Sequence, residues 1–328
     1  MTTTGGLALD AAPRPSALRR TMRALAAIAL VGVAVPVAAR LLGWEPGPVA
    51  ILVALMPWVT LAAAVPLVLA ALARAWWLLA ASAVVASSCV VWMVPLYVGA
   101  PAPPAGEEFT VASVSMTFGG ADATEVVQLV RDHQVDVLAL QELTPEAAVA
   151  LRSAGLDAEL PHSRAYPEPG FTGTGVWSRL GISDGRAIEG TTSRTVQVVV
   201  DAESGPLTVL APHPAAPGLF AHSAWSADLA ALEASVAGID GPLLVLGDLN
   251  MTRDHRAFRD LESAGLADAA TQAGAGFSPT FPQGRRPFPI AAIDHALVRD
   301  APLTAVQVST AAVSGADHRA LVVTYVTP

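Results

Sequence analysis

Between Pro46 and Val98 the chain carries a single charged residue, Arg74. It splits the segment into two charge-free runs, Pro46–Ala73 and Ala75–Val98. A hydrocarbon core about 30 Å thick is crossed by roughly 20 apolar residues in helical form. Both runs exceed that length, and charge-free stretches of this size rarely fit inside a soluble domain. Each is expected to be a transmembrane helix. A shorter apolar run, Ala24–Ala39, precedes them and supplies a third. Pro57 and Pro66 would bend the second helix, which membranes tolerate. Trp76, Trp77, Trp92 and Tyr97 lie near the ends of the third, where interface aromatics gather. With Arg19, Arg20 and Arg23 before it and Val37-Ala38-Ala39 at its end, the first run also fits a cleaved signal peptide. The two longer runs anchor the chain in either case.

Charge divides the chain near residue 100. Residues 1–100 hold six Arg against Asp10 and Glu45; the rest holds thirteen Arg against twenty-six Asp and Glu, within a total of −9. Arg14, Arg19, Arg20, Arg23 and Arg74 fall on one side of the three spans, so the positive-inside rule places the N-terminus in the cytoplasm. The expected organisation is a cytoplasmic tail (1–23), three transmembrane helices (24–98), a stiff Pro-rich linker (99–108) and an extracytoplasmic domain (109–328). That domain is acidic and has no Lys, which argues against duplex nucleic acid as a partner. Arg253, Arg256 and Arg259, with Arg285 and Arg286, could form a small basic patch or a solvated helix face. Cys89 is the only cysteine, so neither an internal disulfide nor a Cys-based zinc site is available.

From Phe109 onward short apolar strands alternate with helices. Strands are expected at Phe109–Met116, Asp136–Glu142, Gly175–Ile182, Thr195–Asp201, Leu207–Pro212, Leu243–Asp248, Ile290–Val298, Ala305–Thr310 and Ala320–Val326. Helices are expected at Ala123–His133, Thr144–Ala154, Ser223–Ala237 and His255–Ala264. Two sheets packed face to face, with helices outside, accommodate this set. The Gly-, Pro- and Ser-rich segments 162–174 and 271–289 are expected to be loops that rim a site.

Acids, amides and imidazoles stand at the strand ends. Glu142 closes a buried strand, where a carboxylate is costly unless paired or metal-bound, and hard cations such as Mg²⁺ take carboxylate oxygens. Gly247-Asp248-Leu249-Asn250 ends another. Alternate strand residues share a face, so Asp248 and Asn250 point at one spot, where Asp248 could activate a water that Asn250 orients. His213, between two prolines, could donate to a phosphoryl oxygen. In Asp294-His295 and Asp317-His318 a carboxylate beside an imidazole can hold it cationic and stabilise charge building on phosphate.

In chain order stand Gln141-Glu142, Gly175 to Arg179, His213, Gly-Asp-Leu-Asn, Ile-Asp-His and Asp-His-Arg. This series resembles the endonuclease/exonuclease/phosphatase (DNase I-like) superfamily over Phe109 to Tyr325. The resemblance implies a four-layer α/β sandwich of two packed, mostly antiparallel sheets flanked by helices, hydrolysing phosphate esters with Mg²⁺ or Mn²⁺. It implies Glu142 as metal ligand with Asp317 near the metal, Asp248 as the water-activating acid, and Asp294 as the residue that orients His318. His213 would contact phosphate, with Asn250 and Arg179 binding substrate. The family's first strand usually ends in Asn; here Ser115 stands at that place, with a shorter reach. The layout is similar to membrane-bound teicoplanin-resistance proteins of the VanJ type, which suggests a lipid-linked cell-wall precursor or a polyprenyl phosphate as substrate and the bilayer as partner. The alternatives are an anchored nuclease, a phosphatase of soluble phosphoesters, and a non-catalytic binding or resistance protein.

Overall fold

The computed structural model describes residues 17–101, 106–218, 222–284 and 288–327. Its N-terminal part is a helical bundle of α1 (Ala17–Leu42), α2 (Pro48–Ala54), α3 (Met56–Ala62), α4 (Ala64–Leu72), α5 (Trp76–Met93) and the single turn α6 (Pro95–Val98). α1 and α5 are each long and apolar enough to cross a membrane. The second apolar run is not one straight rod. α2 is turned 70° from the α3–α4 segment. The turn falls at Leu55, because Pro57 at the start of α3 has no N–H for the Val53 carbonyl and its ring obstructs a continuous helix. Met22, Leu69 and Leu78 meet at one end of the bundle, and Val37, Met56 and Cys89 at the other.

The second end carries the remainder of the chain. Arg40 pairs with Asp254 at 2.6 Å and stacks 3.9 Å over the Trp92 ring. Arg253 donates to the Trp92 carbonyl at 2.8 Å, and Arg259 to the Arg40 carbonyl at 2.8 Å. Trp58 donates through Nε1 to the Ile290 carbonyl at 2.8 Å. Two of the three arginines proposed as a basic patch are therefore turned toward the bundle. Arg256 pairs with Asp260 on its own helix, and Arg285 and Arg286 lie outside the described residues.

The domain follows as β1 (Glu107–Ser115), α7 (Ala123–Asp132), β2 (Val137–Gln141), α8 (Pro145–Ala154), α9 (Leu156–Glu159), β3 (His162–Tyr166), β4 (Thr174–Ser178), β5 (Ile182–Ile188), β6 (Thr195–Ala202) and β7 (Gly205–Ala211). It continues through α10 (His222–Ala237), β8 (Leu243–Asp248), α11 (Arg256–Ser263), β9 (Ala267–Asp268), α12 (Ala269–Ala273), β10 (Asp294–Arg299), β11 (Thr304–Ala311) and β12 (Ala320–Thr327). The strands form two sheets, ordered β11-β12-β1-β2-β4-β3 and β5-β6-β7-β8-β10-β9. Val111, Val137, Val198, Val209, Leu244 and Leu246 fill the space between them. On the outer face of the first sheet, Val126, Val130 and Leu151 of α7 and α8 cover Leu138 and Leu140. On the outer face of the second, Trp225, Leu229 and Phe258 of α10 and α11 cover Leu243 and Val245. β2 and β8 are thus buried on both faces, which is why they read as continuous apolar runs. The four-layer sandwich is the architecture that the motifs imply.

Three local expectations need correction. Gly175–Ile182 is not one strand: its first half is β4 in one sheet, and Ile182 opens β5 in the other. Segment 162–174 is not all loop, since β3 is a partly exposed edge strand whose residues His162-Ser163-Arg164 need no apolar pattern. Ile290–Ile293 precede β10 instead of belonging to it; the Thr280 hydroxyl accepts from the Ile293 and Asp294 amides.

Candidate active site

Each sheet has a parallel pair near its middle, β1–β2 and β7–β8, and the carboxyl ends of these pairs converge. A Cβ built on Gly247 would lie 2.6 Å from the Pro212 carbonyl oxygen and 3.2 Å from Gln141 Nε2. Only glycine lets the end of β8 come that close to the ends of β2 and β7. The approach gathers Glu142, His213, Asp248, Asn250, Asp317 and His318 around one cavity of about 590 Å³. Asp294 lies behind them, opposite Asp248 in the β8–β10 register.

Two of these residues have left-handed backbone, Glu142 at φ +53° and Asn250 at φ +47°. Such angles are uncommon outside glycine, and strained positions cluster at functional sites. The loop after β1 is left-handed at Thr117 and Phe118 as well. It binds two of the acids of the cleft: the Phe118 amide donates to Glu142 Oε2 at 2.8 Å, and the Thr117 hydroxyl donates to Asp317 Oδ1 at 2.6 Å. On the opposite wall the Asn250 amide donates to Asp248 Oδ1 at 2.8 Å, and Asn250 Nδ2 donates to the Pro214 carbonyl at 2.9 Å. The carboxamide thereby ties the end of β8 to the His213 loop.

His318 donates through Nδ1 to Asp294 Oδ2 at 2.9 Å, and its Nε2 faces Asp248 Oδ2 at 3.8 Å. Burial works against a charge on this ring, but Asp294 and Asp248 outweigh it and push His318 up to about 10. The ring is therefore an imidazolium at neutral pH. Burial raises Asp248 to about 7, with Asp294 and Glu142 adding to the rise and His318 opposing it. Burial also raises Glu142, helped by Asp317 and opposed by the Phe118 amide. His213 is brought down to about 4, first by burial and then by the His318 cation, so it is neutral. Its Nε2 stands 3.6 Å from Asp248 Oδ2 and 3.9 Å from Glu142 Oε1, distances that leave each pair to be bridged by a further polar atom.

The donor set fits a hard divalent cation. Four carboxylates (Glu142, Asp248, Asp294 and Asp317) stand against one cationic ring, and two of the four are held above their ordinary values by burial and negative neighbours. Carboxylate oxygens without thiolates suit Mg²⁺ or Mn²⁺. Asp248, Asp294 and His318 also bring ligand-type atoms within 4.8 Å of one another. His318, however, is protonated and its Nδ1 is committed to Asp294, so these three form a hydrogen-bonded relay. The acids free of that relay, Glu142 and Asp317, are the pair better suited to a cation.

Not every expected residue reaches the cleft. Arg179 follows the far end of β4, pairs with Asp136 at 3.4 Å and donates to the Val135 carbonyl, so a substrate-binding part for it is not supported by its position. Ser115 ends β1 level with Gln141. Its buried hydroxyl has no partner among the described residues and does not line the cavity. His295, the second half of its Asp-His pair, faces Asp268 at 3.8 Å outside the cavity. Sequence reasoning missed the aromatic rim of Phe118, Phe171 and Phe281, the last with its ring centroid 4.9 Å from that of His318. Phe171 and Phe281 do come from the two segments expected to rim a site. It also missed Ile51, Ala54 and Leu55 of the bundle; the one signal for these was Pro57, which stops the helix where it enters the site.

A family model described as the Endonuclease/Exonuclease/phosphatase family matches residues 115–318, more than half of the chain. No curated protein matches it. Among solved structures, TDP2 of D. rerio with a single strand DNA product aligns at a TM-score of 0.56 and 17% identity, over 67% of this chain and 100% of that one. The 3' phosphatase NExo from Neisseria, bound to a product DNA hairpin, aligns at 0.52 and 17%, over 66% and 98%. The mannosyl-6-phosphatase of Bacteroides thetaiotaomicron aligns at 0.50 and 15%, over 66% and 99%. At such identities the likeness concerns the fold. The matched segment runs from the strand-end Ser115 to the charged ring of His318, and the chain belongs to the endonuclease/exonuclease/phosphatase family, whose members are divalent-metal phosphoesterases and nucleases.

Proposed function

We propose that the protein is a membrane-anchored, Mg²⁺- or Mn²⁺-dependent phosphohydrolase. It acts outside the cytoplasmic membrane on a lipid-linked phosphate or pyrophosphate, such as a polyprenyl carrier or cell-envelope precursor. The observation that carries this reading is a shared cavity: Glu142, Asp248 and His318 open onto the same space as Ile51, Ala54 and Leu55 of the apolar bundle. A site built against candidate membrane helices meets lipid headgroups at high effective concentration. The resemblance to VanJ-type resistance proteins expected from the layout of the sequence would point to the same substrate class. Arg253 and Arg259 of the expected basic patch are engaged with the bundle, which argues against nucleic acid.

Asp248 would take a proton from the attacking water, which its burial-raised basicity suits. Asn250, fixed by Pro214, would orient that water. His318 would donate its Nε2–H to a phosphoryl oxygen, with Asp294 sustaining the positive charge as negative charge builds on phosphate. Neutral His213 would contact a second phosphoryl oxygen. Glu142 and Asp317 would hold the cation, which supplies charge neutralisation at the phosphoryl group. Water attacks phosphorus and the bond to the leaving oxygen breaks; from a diphosphate that oxygen leaves on the lipid phosphate, and from a monophosphate it leaves as the lipid alcohol after taking up the proton that Asp248 removed from water.

The test is phosphate release from polyprenyl diphosphate by the full chain in detergent, with Mg²⁺, with Mn²⁺ and with chelator. Cation-dependent release that Asp248→Asn abolishes is expected. Equal turnover by that variant, or by chelated protein, rejects the proposal, and faster cleavage of DNA than of the lipid favours a nuclease. A reporter fused after Pro328 tests sidedness; it should be active only outside the cytoplasmic membrane.

A further inference from the structure

The bend at Leu55 brings a piece of the bundle into the catalytic cleft. α2 lies across the domain-facing end of the bundle, and both sides of the bend are fastened. Ala50 is fully buried among Trp225 and Phe258 of the domain, and its carbonyl accepts from His255 Nε2 at 3.0 Å. Beyond the bend, Trp58 is bonded to the Ile290 carbonyl. Held in this way, Ile51, Ala54 and Leu55 face the same cavity as Phe281, Ile290 and Ile293. The wall is therefore acidic around Glu142, Asp248 and Asp317, and mostly apolar, with His255 as the polar exception, where α2 and the Ile290–Ile293 segment form it. Its volume of about 590 Å³ falls in the range of about 300–1,000 Å³ typical of small-molecule sites. A phosphate or a sugar phosphate would occupy only the acidic end and leave the apolar walls against water, an arrangement that burial of hydrocarbon relieves.

From this, and resting on the phosphohydrolase reading, we infer that the apolar half of the cleft is a subsite for the hydrocarbon chain of the substrate. The carbons next to the phosphate lie between α2 and the Ile290–Ile293 segment, and Ile51, Ala54 and Leu55 determine selectivity for long-chain phosphates. The occupant is a lipid chain and not a soluble apolar group because the wall is continuous with the bundle. From Pro46 to Ala73 there is no charge, so a chain lying along α2 passes onto α3 without meeting a polar barrier. The bundle then contributes part of the active site as well as an anchor.

Two measurements on the full chain in lipid nanodiscs test this. The first uses dodecyl phosphate carrying a diazirine on its chain, with labelled peptides mapped after irradiation. Labels on Ile51, Leu55 or Ile293 that unlabelled dodecyl phosphate competes away are expected. Labels spread over α1 and α5 without competition overturn the subsite. The second compares farnesyl diphosphate with dimethylallyl diphosphate, which share the reacting group and differ in chain length. Ala54→Trp, which fills the space, and Ile51→Thr, which keeps the β-branch but shortens the side chain and puts a hydroxyl in the wall, should each lower the ratio of the two kcat/KM values about tenfold. An unchanged ratio in both variants overturns the subsite. If the label maps to α2 but neither diphosphate is cleaved by the parent protein, the hydrolase reading fails while the subsite stands. If both are cleaved but the label lies elsewhere, the reverse holds.

Discussion

The imidazole of His318 and the carboxylate of Asp294 are 2.9 Å apart, both buried, on segments that belong to different sheets. Asp294 opens β10 in one sheet, and His318 stands two residues before β12 in the other. The bond joins the two halves of the sandwich at the floor of the cleft and fixes Nε2–H as the end of the ring that faces Asp248. Asp294→Asn keeps the size of the side chain but removes the charge that holds the ring cationic. The expected result is a loss of kcat on the order of 100-fold, with a much smaller change in KM, because the charge matters most as the phosphoryl group gains negative charge. Steady-state kinetics on the two proteins check this; a variant that loses KM and keeps kcat would place Asp294 in binding instead.

Glu142 is held in left-handed backbone with one carboxylate oxygen taken by the Phe118 amide. The other faces the cleft, and burial with Asp317 nearby keeps its charge costly. A bound cation removes that cost. Glu142→Gln should therefore raise the Mg²⁺ or Mn²⁺ concentration needed for half-maximal activity at least about tenfold. The same shift should appear in the cation dependence of the thermal midpoint, a readout that needs no turnover. Identical cation dependence in variant and parent would remove Glu142 from the metal site.

The parts of the molecule that the sequence disclosed share one property: their local pattern and their tertiary setting agree. Leu243–Asp248 and Val137–Gln141 are apolar throughout because both faces of their strands are covered, and the acids after them sit where the covering stops. The Asp-x-Asn and Asp-His signatures point at one another because they mark strand ends, and strand ends meet in a sandwich. Arg179 misled because a strand has two ends; nothing in Trp177-Ser178-Arg179 says that the segment runs away from the cleft. β3 was hidden because an edge strand can be polar. The lining by Ile51, Ala54 and Leu55 was hidden for a different reason: an apolar residue of a membrane-type run looks the same whether it faces lipid, another helix or a substrate chain. Only the bend at Leu55 and the contacts of Ala50 and Trp58 tell these apart.

Arg40 and Asp254 form an enclosed ion pair between bundle and domain, 2.6 Å apart with side chains 11% and 5% exposed. Arg40 also covers the Trp92 ring, and its backbone carbonyl accepts from Arg259. Removing one partner leaves a buried charge without its counterpart. Asp254→Asn or Arg40→Gln should lower the stability of the docked arrangement by about 3 kcal/mol. The double variant Arg40→Met with Asp254→Leu should recover most of that, since apolar replacement removes both desolvation penalties. Thermal midpoints in detergent measure the effect. Limited proteolysis between residues 99 and 108 reports whether the domain has come away from the bundle. Single variants with parental midpoints would show that the apolar contacts of Ala50 suffice for docking.

His255 gives the same interface a dependence on pH. The Thr252 amide donates to His255 Nδ1 at 2.8 Å, so the proton sits on Nε2, which donates to the Ala50 carbonyl. Burial, opposed by the hydrogen bonds to Ala50 and Thr252 and reinforced by Arg259, brings the ring down to about 4. Above about pH 6.5 the ring is neutral in folded and unfolded chains alike and adds no slope. Between about 6.5 and 4 the unfolded chain binds a proton that the folded chain refuses, so stability falls as pH falls, by about 3 kcal/mol over the interval. His213, brought to about the same value by its own burial, contributes a similar slope. Asp248, raised to about 7, works the other way, because its folded carboxylate takes up a proton before the unfolded one does, so the contribution of His255 is read as the difference between parent and variant in the change of thermal midpoint from about pH 7.5 to 5. His255→Gln retains a donor for Ala50 and has no proton to gain. It should start from a lower midpoint, because Thr252 loses its acceptor, and its midpoint should respond to acidification less unfavourably than that of the parent does. A variant that retains the parental slope would show that the neutral imidazole against Ala50 is not its source.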